Sequence, residues 1–136
     1  MKSQYQRDVE ELFSPREHLK AGYEFSEFEE VILSLQKENP EKPIRCLTEW
    51  VWLDLRCNTE LINLYMQENI QPVILAAERI IFDSEDPSAI GYRLPRTSPL
   101  IAYQSPGLFE TKNRYYLMVG PGTKKIISHD VAASLI

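Results

Sequence analysis

The strongest constraint on the fold is the run IRCLTEWVWLDL over Ile44–Leu55, which is apolar at most positions. Side chains alternate across a strand, so Cys46, Trp50 and Trp52 would share one face and Leu47 would lie on the other. Apolar groups on both faces predict a strand inside a sheet that is covered on each side. We expect the two tryptophans to fill a core. The alternative is that they form a stacking platform for bases or a peptide.

A helix is predicted upstream of this strand, beginning at Ser26. Ser26 and Glu29 have the Ser-x-x-Glu spacing of a capping box, and Asn39-Pro40 would end the helix. The apolar residues at helical spacing are Phe28, Val31, Ile32 and Leu35. A shorter helix is predicted over Ser3–Phe13.

Downstream of the first strand, the pattern indicates a helix and then a second strand. Asn58 can cap a helix that runs to about Glu68, and a second apolar strand is predicted over Val73–Phe82. The inward side chains of this helix are expected to be Leu61, Ile62, Tyr65 and Met66. A strand, a helix of about a dozen residues and a strand have the length of a βαβ crossover, so we expect parallel strands. An antiparallel return is the alternative.

The stretch Arg93–Lys125 alternates short β-type runs with proline and glycine, which is typical of a hairpin or meander. The predicted strands are Leu100–Tyr103, Leu108–Thr111 and Arg114–Val119, with a two-residue turn at Lys112-Asn113. Gly120-Pro121-Gly122 would then break the sheet before two solvated lysines, and Ser128 would cap a closing helix through Leu135. The predicted fold class is α+β: a mixed sheet of about five strands with two or three helices packed against it.

Length and composition place limits on class and compartment. A chain of 136 residues, 43% of them hydrophobic, is expected to form a single domain over residues 1–136 with its own core. It starts MKSQYQRDVEE, with no apolar secretory segment, and no apolar run approaches the roughly 20 residues of a membrane span. Two cysteines eleven residues apart indicate neither a disulfide framework nor a zinc site. We therefore expect a cytoplasmic protein with no membrane partner.

The net charge of −5 is unevenly distributed. Residues 1–90 carry nine basic and eighteen acidic side chains, whereas residues 91–136 carry six basic and two acidic. A surface that is acidic over most of its area repels nucleic acid, and the basic remainder could hold an anion or simply solvate the domain. We therefore do not expect nucleic-acid binding, and a pI near 5.1 agrees.

The sequence contains no strong catalytic motif. His18 and His129 are far apart and no HExxH occurs, so no metal ligands are assigned. No G-x-S-x-G elbow supports a nucleophile, and the run from Gly120 to Lys125 lacks the spacing of a phosphate loop. We accordingly assign no catalytic residue and no cofactor.

One set of residues leaves an enzymatic alternative open. Arg93 and Arg96 precede a Thr-Ser pair, and Glu110 follows in the hairpin. Arginine and hydroxyl groups can hold a phosphate, and a carboxylate nearby can act as a base, as in ADP-ribosyl transfer. Structural pairing of Glu110 with Arg96 or Arg114 across strands is the simpler interpretation.

The blocks RTSPLIAY, Arg96–Tyr103, and GLFETKNRYYLMVGPGTKK, Gly107–Lys125, together with the upstream WVWLDL, carry a resemblance. The chain resembles a family of small bacterial and prophage-type proteins known as a domain of unknown function, over roughly residues 20–127. The resemblance implies no activity. It does suggest a mobile-element setting, in which small acidic proteins bind other proteins as inhibitors, immunity factors or anti-defence proteins.

These observations favour a non-enzymatic protein whose partner is another protein. Tyrosine beside arginine is enriched at binding hot spots, and one tyrosine of an adjacent pair must face away from the core. The predicted partner-binding residues are Arg93, Arg96, Lys112, Arg114, Tyr115 and Tyr116. We expect Arg93, Arg96, Lys112 and Arg114 to form one basic surface.

Overall fold

The computed structural model describes residues 18–19 and 22–135, so the helix predicted over Ser3–Phe13 lies outside the described residues. The strands are β1 His18–Leu19, β2 Ile44–Arg56, β3 Val73–Asp83, β4 Ala102–Gln104, β5 Leu108–Glu110, β6 Tyr115–Met118 and β7 Gly122–Ser128. The helices are α1 Phe28–Glu38, α2 Thr59–Gln67 and α3 His129–Ser134, with a 3₁₀ turn at Pro87–Ala89. The described residues thus confirm the α+β class and the mixed sheet, with seven strands instead of about five.

The long strand β2 is the centre of the sheet. It pairs antiparallel with β3 along one edge, where Asp54 lies opposite Val73. Along its other edge it pairs in parallel first with β6 and then with β7. The predicted parallel crossover from β2 to β3 is therefore wrong. The reason is that the connection containing α2 returns to the end of the strand it left, and Leu55 N–H already donates to Pro72 O at 2.8 Å.

Hydrogen bonds close these strands into a circuit. Leu94 exchanges two backbone hydrogen bonds of 2.9 Å with Ala77 of β3, and Leu100 N–H donates to Val73 O. The same extended segment continues into β4, which pairs with β5, and β5 pairs with β6, which returns to β2. The interior of this circuit holds one apolar cluster that includes Leu47, Trp50, Leu75, Leu100, Phe109 and Met118. Trp50 is 1% exposed and Trp52 is half-buried against the cluster, so both belong to the core.

The alternation of side chains along β2 changes in the middle of the strand. Glu49 has φ 51°, a left-handed conformation that residues with a side chain rarely adopt. Before it, Cys46 packs on the outer face with α1, while Leu47 packs inside with Trp50. The predicted sharing of a face by Cys46 and Trp50 is wrong because the irregular backbone at Glu49 breaks the period of two.

Two helices cover the outer faces of the sheet. α1 buries Ile32 and Leu35 against β2 and β6, as its apolar spacing predicts, and it ends before Asn39. α3 buries Ala132 against Val51, and the Ser128 hydroxyl caps its start by accepting from Val131 N–H at 3.2 Å. These features confirm the predicted helices.

The capping box predicted for α1 is absent. The helix begins one residue later than expected, with Glu27 at the N-cap and no side-chain cap bond. Glu27 instead accepts a hydrogen bond from Glu24 N–H at 2.8 Å, which fixes the preceding turn. The local turn therefore takes the place of the Ser26 and Glu29 pair.

The two lysines that follow Gly122 lie in a strand, not in a solvated connection. Lys124 pairs with Asp54 at 3.3 Å, and Lys125 is only 4% exposed. The stretch therefore continues the sheet as β7 after the break at Gly120-Pro121, and the predicted solvation of Lys125 is wrong.

Candidate binding site

Helix α2 carries apolar side chains that the rest of the fold does not cover. Asn58 Oδ1 caps it by accepting from Leu61 N–H at 2.9 Å, as predicted, yet none of its nine residues is buried. Ile62, Leu64 and Met66 are 41%, 56% and 68% exposed. The predicted inward positions of Ile62 and Met66 are wrong, and Leu61 and Tyr65 are only half-buried, because α2 lies in the β2–β3 connection, beyond the paired strand ends.

A signal for this exposure is present in the sequence. At 100° per residue, the apolar positions of α2 span an arc of about 200°, twice the width of an ordinary core-facing stripe. The members of the arc are Leu61, Ile62, Leu64, Tyr65 and Met66. One sheet face cannot cover an arc that wide, so part of it had to remain exposed.

A shallow apolar groove of about 170 Å³ runs along α2 toward the start of α3. We call it the α2 groove, and its lining residues are Leu61, Leu64, Tyr65, Glu68, Ile70 and His129. The rings of Tyr65 and His129 meet edge to face with centroids 6.2 Å apart. They form one wall of the groove.

The same two rings also line a larger pocket of about 370 Å³, which we call the arginine pocket. Its polar lining residues include Tyr65, Arg96, Ser98 and His129, and its apolar ones include Leu55 and Ile74. It lies between α2, α3 and the extended segment that borders β3. Three separate parts of the chain therefore meet around Arg96.

Arg96 differs in its partners from Arg93, Lys112, Arg114 and Lys124. Its Nη1 donates to the carbonyl oxygen of Ala132 at 3.2 Å, and no carboxylate among the described residues forms an ion pair with it. Ion pairs join Arg93 to Glu78, Lys112 to Glu68, Arg114 to Asp83 and Glu85, and Lys124 to Asp54. Arg96 thus brings a positive charge to the pocket that no described acid offsets.

The hydroxyl groups of the pocket have different roles. Thr97 is buried, and its Oγ1 accepts from Leu75 N–H at 3.0 Å and donates to Ser98 O at 2.8 Å, so it is structural. Burial, helped by the Cys57 thiol, raises the pKa of Tyr65, while the charge of Arg96 acts in the opposite direction. Tyr65 therefore stays a neutral hydroxyl at neutral pH and can donate a hydrogen bond.

The remaining predicted partner-binding residues lie elsewhere and have internal contacts. The side chain of Arg114 is 18% exposed, and its Nη1 lies 3.5 Å from Asp83 and its Nη2 3.1 Å from Glu85. Tyr116 is buried in the interior of the circuit, and Tyr115 lies beneath Lys42, whose Nζ is 4.9 Å from the ring centroid. With Arg93, Lys112 and Arg114 bound to different carboxylates, their role in binding a partner stays a prediction.

The residues of the enzymatic alternative do not form one constellation. Arg93 pairs with Glu78 at 3.1 Å, whereas Glu110 pairs with Lys42 at 2.5 Å and not with Arg96 or Arg114. Only Arg96 of the three lines the arginine pocket. Sequence reasoning missed Tyr65 and His129 as its companions because both come from elements distant in the chain.

The cysteines offer a test of the packing around this site. Cys46 is buried and burial raises its pKa, whereas Cys57 is half-buried near Tyr65. We expect a maleimide to modify Cys57 alone in the native protein and both thiols after unfolding, because the reactive thiolate must be accessible. Mass spectrometry of digested peptides measures this, and native labelling of Cys46 would contradict the described packing.

The described residues thus define an α+β protein with an arginine-lined pocket beside an exposed apolar helix. Residues 20–134 match the protein family described as a domain of unknown function, DUF6957, and the chain belongs to that family. This confirms the expectation of a family of unknown function. No curated protein and no solved structure matches the chain. Within the described residues, no helix has the length and apolar character to cross a membrane, and no three potential ligand side chains cluster around a metal position.

Proposed function

We propose that this chain is a protein-binding domain that holds its partner on α2 and the α2 groove. The observation that carries the proposal is the exposure of Ile62, Leu64 and Met66 on a helix with no buried residue. Leu64 lies about 160° around the helix from Ile62 and Met66, with the half-buried Leu61 and Tyr65 between them, so the apolar surface wraps around α2. Exposed apolar surface marks interaction sites in folded proteins. Burying each such side chain contributes up to about 1.5–3 kcal/mol, which is the scale of a binding hot spot.

The helix is held in place, so the surface exists before a partner arrives. Asn58 caps its start, and Ile70 N–H donates to Tyr65 O at 3.0 Å across its end, where Asn69 adopts φ 56°. A preordered surface loses less conformational entropy on binding. This supports α2 as a binding element.

The partner's chemistry follows from the two ends of the surface. The groove accepts apolar side chains, and beyond Tyr65 it adjoins Arg96, whose charge no described acid offsets. At its other end, Glu68 is already paired with Lys112 at 3.7 Å. The segment that fits is apolar, with a carboxylate on the side that reaches Arg96, and it belongs to a different protein.

Replacing Leu64 with glutamate tests the surface. We expect the L64E variant to bind the partner at least about 30-fold more weakly, a loss of about 2 kcal/mol, because a charge replaces a buried apolar contact. The matched control is Leu33→Glu on α1, since Leu33 is 64% exposed and lies on another helix. Both variants should keep the unfolding free energy of the parent within about 0.5 kcal/mol.

The measurement has two stages. A partner cross-linked from a host lysate by the parent and by L33E, but not by L64E, is purified and its dissociation constant is measured for all three proteins. Equal affinity of L64E and L33E would contradict the proposal. Sedimentation of the purified protein tests whether a second copy of the chain occupies α2 instead. If the parent is a dimer and L64E is a monomer, α2 binds a second copy and the proposed partner is overturned.

We extend the proposal to the biological setting of the chain: we propose that it is a cytoplasmic inhibitor, immunity or anti-defence protein of a bacterium or its mobile elements. The support is the resemblance of Arg96–Tyr103 and Gly107–Lys125 to small prophage-type proteins, together with two free cysteines, which suit a reducing compartment. Fractionation of a bacterial host that expresses the chain should recover it with cytoplasmic markers. Recovery with periplasmic markers would contradict this setting.

A further inference from the structure

We infer that the arginine pocket is a carboxylate-binding site. The proposed function already brings a partner's carboxylate to Arg96, and the inference goes beyond it because the pocket can also take a small free carboxylic acid whether or not α2 binds a protein. Its volume of about 370 Å³ is in the range of small-ligand pockets, which run from about 300 to 1,000 Å³. The pocket is open to solvent on the side of Arg96 and Ser98, both of which are exposed.

The charge of the lining favours an anion. None of the ten described residues that line the pocket is acidic, although the chain has 20 acidic residues and a net charge of −5. Arg96 contributes a guanidinium that no described carboxylate neutralises. An anion entering here meets a positive group on a surface that is otherwise dominated by acids.

The charge of the groups favours a carboxylate over a phosphate. Nη1 of Arg96 is fixed by the carbonyl of Ala132 at 3.2 Å, which orients the planar guanidinium and leaves further N–H donors for a ligand. A guanidinium matches the two oxygens of a carboxylate, and one such group balances one negative charge. The Tyr65 and Ser98 hydroxyls also line the pocket as neutral hydrogen-bonding groups, and the His129 ring lies beside them.

The apolar part of the lining defines the rest of the ligand. Leu55 and Ile74 form part of the wall, and the Tyr65 and His129 rings stand edge to face beside it. These surfaces suit a short hydrocarbon or aromatic body attached to the carboxylate. Such a group could come from a free carboxylic acid or from an acidic side chain of the partner that docks on α2.

The test is a titration of the ¹⁵N-labelled protein with benzoate, with benzamide and inorganic phosphate as comparison ligands. We expect benzoate to bind in the millimolar range and to shift the amide signals of Ser98, Ala132 and Ala133, while benzamide and phosphate leave them unchanged. Binding of phosphate at these residues with the affinity of benzoate would overturn the assignment to carboxylates. So would the absence of any benzoate shift in the pocket.

Variants assign the effect to Arg96. Arg96→Ala and Arg96→Gln should each weaken benzoate binding at least about tenfold, since a charged hydrogen bond is lost. The matched control is Arg93→Ala, on the same segment but paired with Glu78. The glutamine variant can still donate to Ala132 O, so it keeps the test valid if the alanine variant unfolds. Unchanged benzoate affinity in a folded Arg96→Gln protein would overturn the inference.

A second arm distinguishes the source of the carboxylate. A capped peptide, acetyl-Leu-Glu-amide, presents only a side-chain carboxylate, as a protein partner would. If the Leu64→Glu variant binds the peptide more weakly but binds benzoate as the parent does, the carboxylate comes from a protein partner on the α2 surface. Benzoate binding without peptide binding assigns the pocket to free acids, and in either case the failure of the protein-binding proposal is visible separately.

Discussion

Replacing Trp50 with alanine is expected to lower the free energy of unfolding by about 3–5 kcal/mol. The indole is 1% exposed at the centre of the closed circuit, and its Nε1 donates to Gly120 O at 3.0 Å. The substitution leaves a cavity and an unpaired carbonyl. Domains of this size are stable by about 5–15 kcal/mol, so this single change would remove a large share of the total.

Urea unfolding followed by circular dichroism measures the loss without relying on the removed fluorophore. Trp52→Ala is the matched control, since Trp52 is half-buried on the same face and packs edge to face on Phe109 with centroids 5.5 Å apart. It should cost less. A Trp50→Ala variant as stable as Trp52→Ala would contradict the central role of Trp50.

Gly122 packs against the Trp50 indole ring and offers a second test of that packing. A Cβ at this position would overlap the indole ring of Trp50, so Gly122→Ala should also destabilise the fold. In the double variant the indole is gone and the methyl group has space. The two losses should therefore be less than additive, and full additivity would show that the two residues do not share this contact.

The parts of the fold that the sequence predicted depend on local signals. The spacing of Val31, Ile32 and Leu35 predicts α1. The Asn58 and Ser128 side chains sit immediately before the helices they cap. In each case the information lies within about four residues, which is the range of helix periodicity and capping. Such signals are insensitive to the rest of the chain.

What was missed depends on contacts between distant residues. The direction of β3 relative to β2 was open because a helix-containing connection fits either return, and pairing such as Trp50 with Ala77 decides it. The phase change at Glu49 could not be predicted either. Its left-handed backbone is held by the surrounding sheet, since nothing in a lone glutamate favours that conformation.

Of the residues that the sequence suggested for holding an anion, Arg96 and the adjacent Thr97-Ser98 pair line the arginine pocket, and their role there stays a prediction. The other two suggested residues, Arg93 and Glu110, do not line it. In the structure Arg93 pairs with Glu78 and Glu110 pairs with Lys42. Tyr65 and His129, from two other elements, line the pocket with Arg96. Because many carboxylates compete for each arginine, the choice of partners is fixed by the closed circuit of strands and not by sequence spacing.

Replacing Asp83 with asparagine is the second change with a large expected effect, a loss of about 3 kcal/mol. The Asp83 side chain is fully buried and lies 2.6 Å from Arg45 Nη2 and 3.5 Å from Arg114 Nη1. It also accepts hydrogen bonds of 2.9 Å from the backbone N–H groups of Glu85 and Asp86. The amide keeps the shape but leaves two partly buried guanidinium groups without this counter-charge.

The effect should depend on pH in a defined direction. Burial alone would raise the pKa of Asp83, but the hydrogen bonds from Asp86, Glu85 and Arg45 together lower it below its ordinary value of 3.8. A carboxyl group whose pKa is lower in the folded state stabilises the fold above its unfolded pKa, and this contribution is lost as the pH falls through the folded pKa. The stability difference between the parent and Asp83→Asn should thus be full near neutrality and should shrink below about pH 4.

Unfolding free energies of both proteins, measured from about pH 7 to about pH 2, check this prediction. Glu85→Gln is the matched control, because Glu85 contacts the same Arg114 at 3.1 Å but its side chain is 59% exposed. Exposed ion pairs contribute about 0–1 kcal/mol, so this variant should resemble the parent at every pH. A constant difference between parent and Asp83→Asn down to the lowest pH would contradict the prediction. It would mean that the charge of Asp83 does not account for the lost stability, and that altered hydrogen bonding at the junction of β2, β3 and the turn before β6 does.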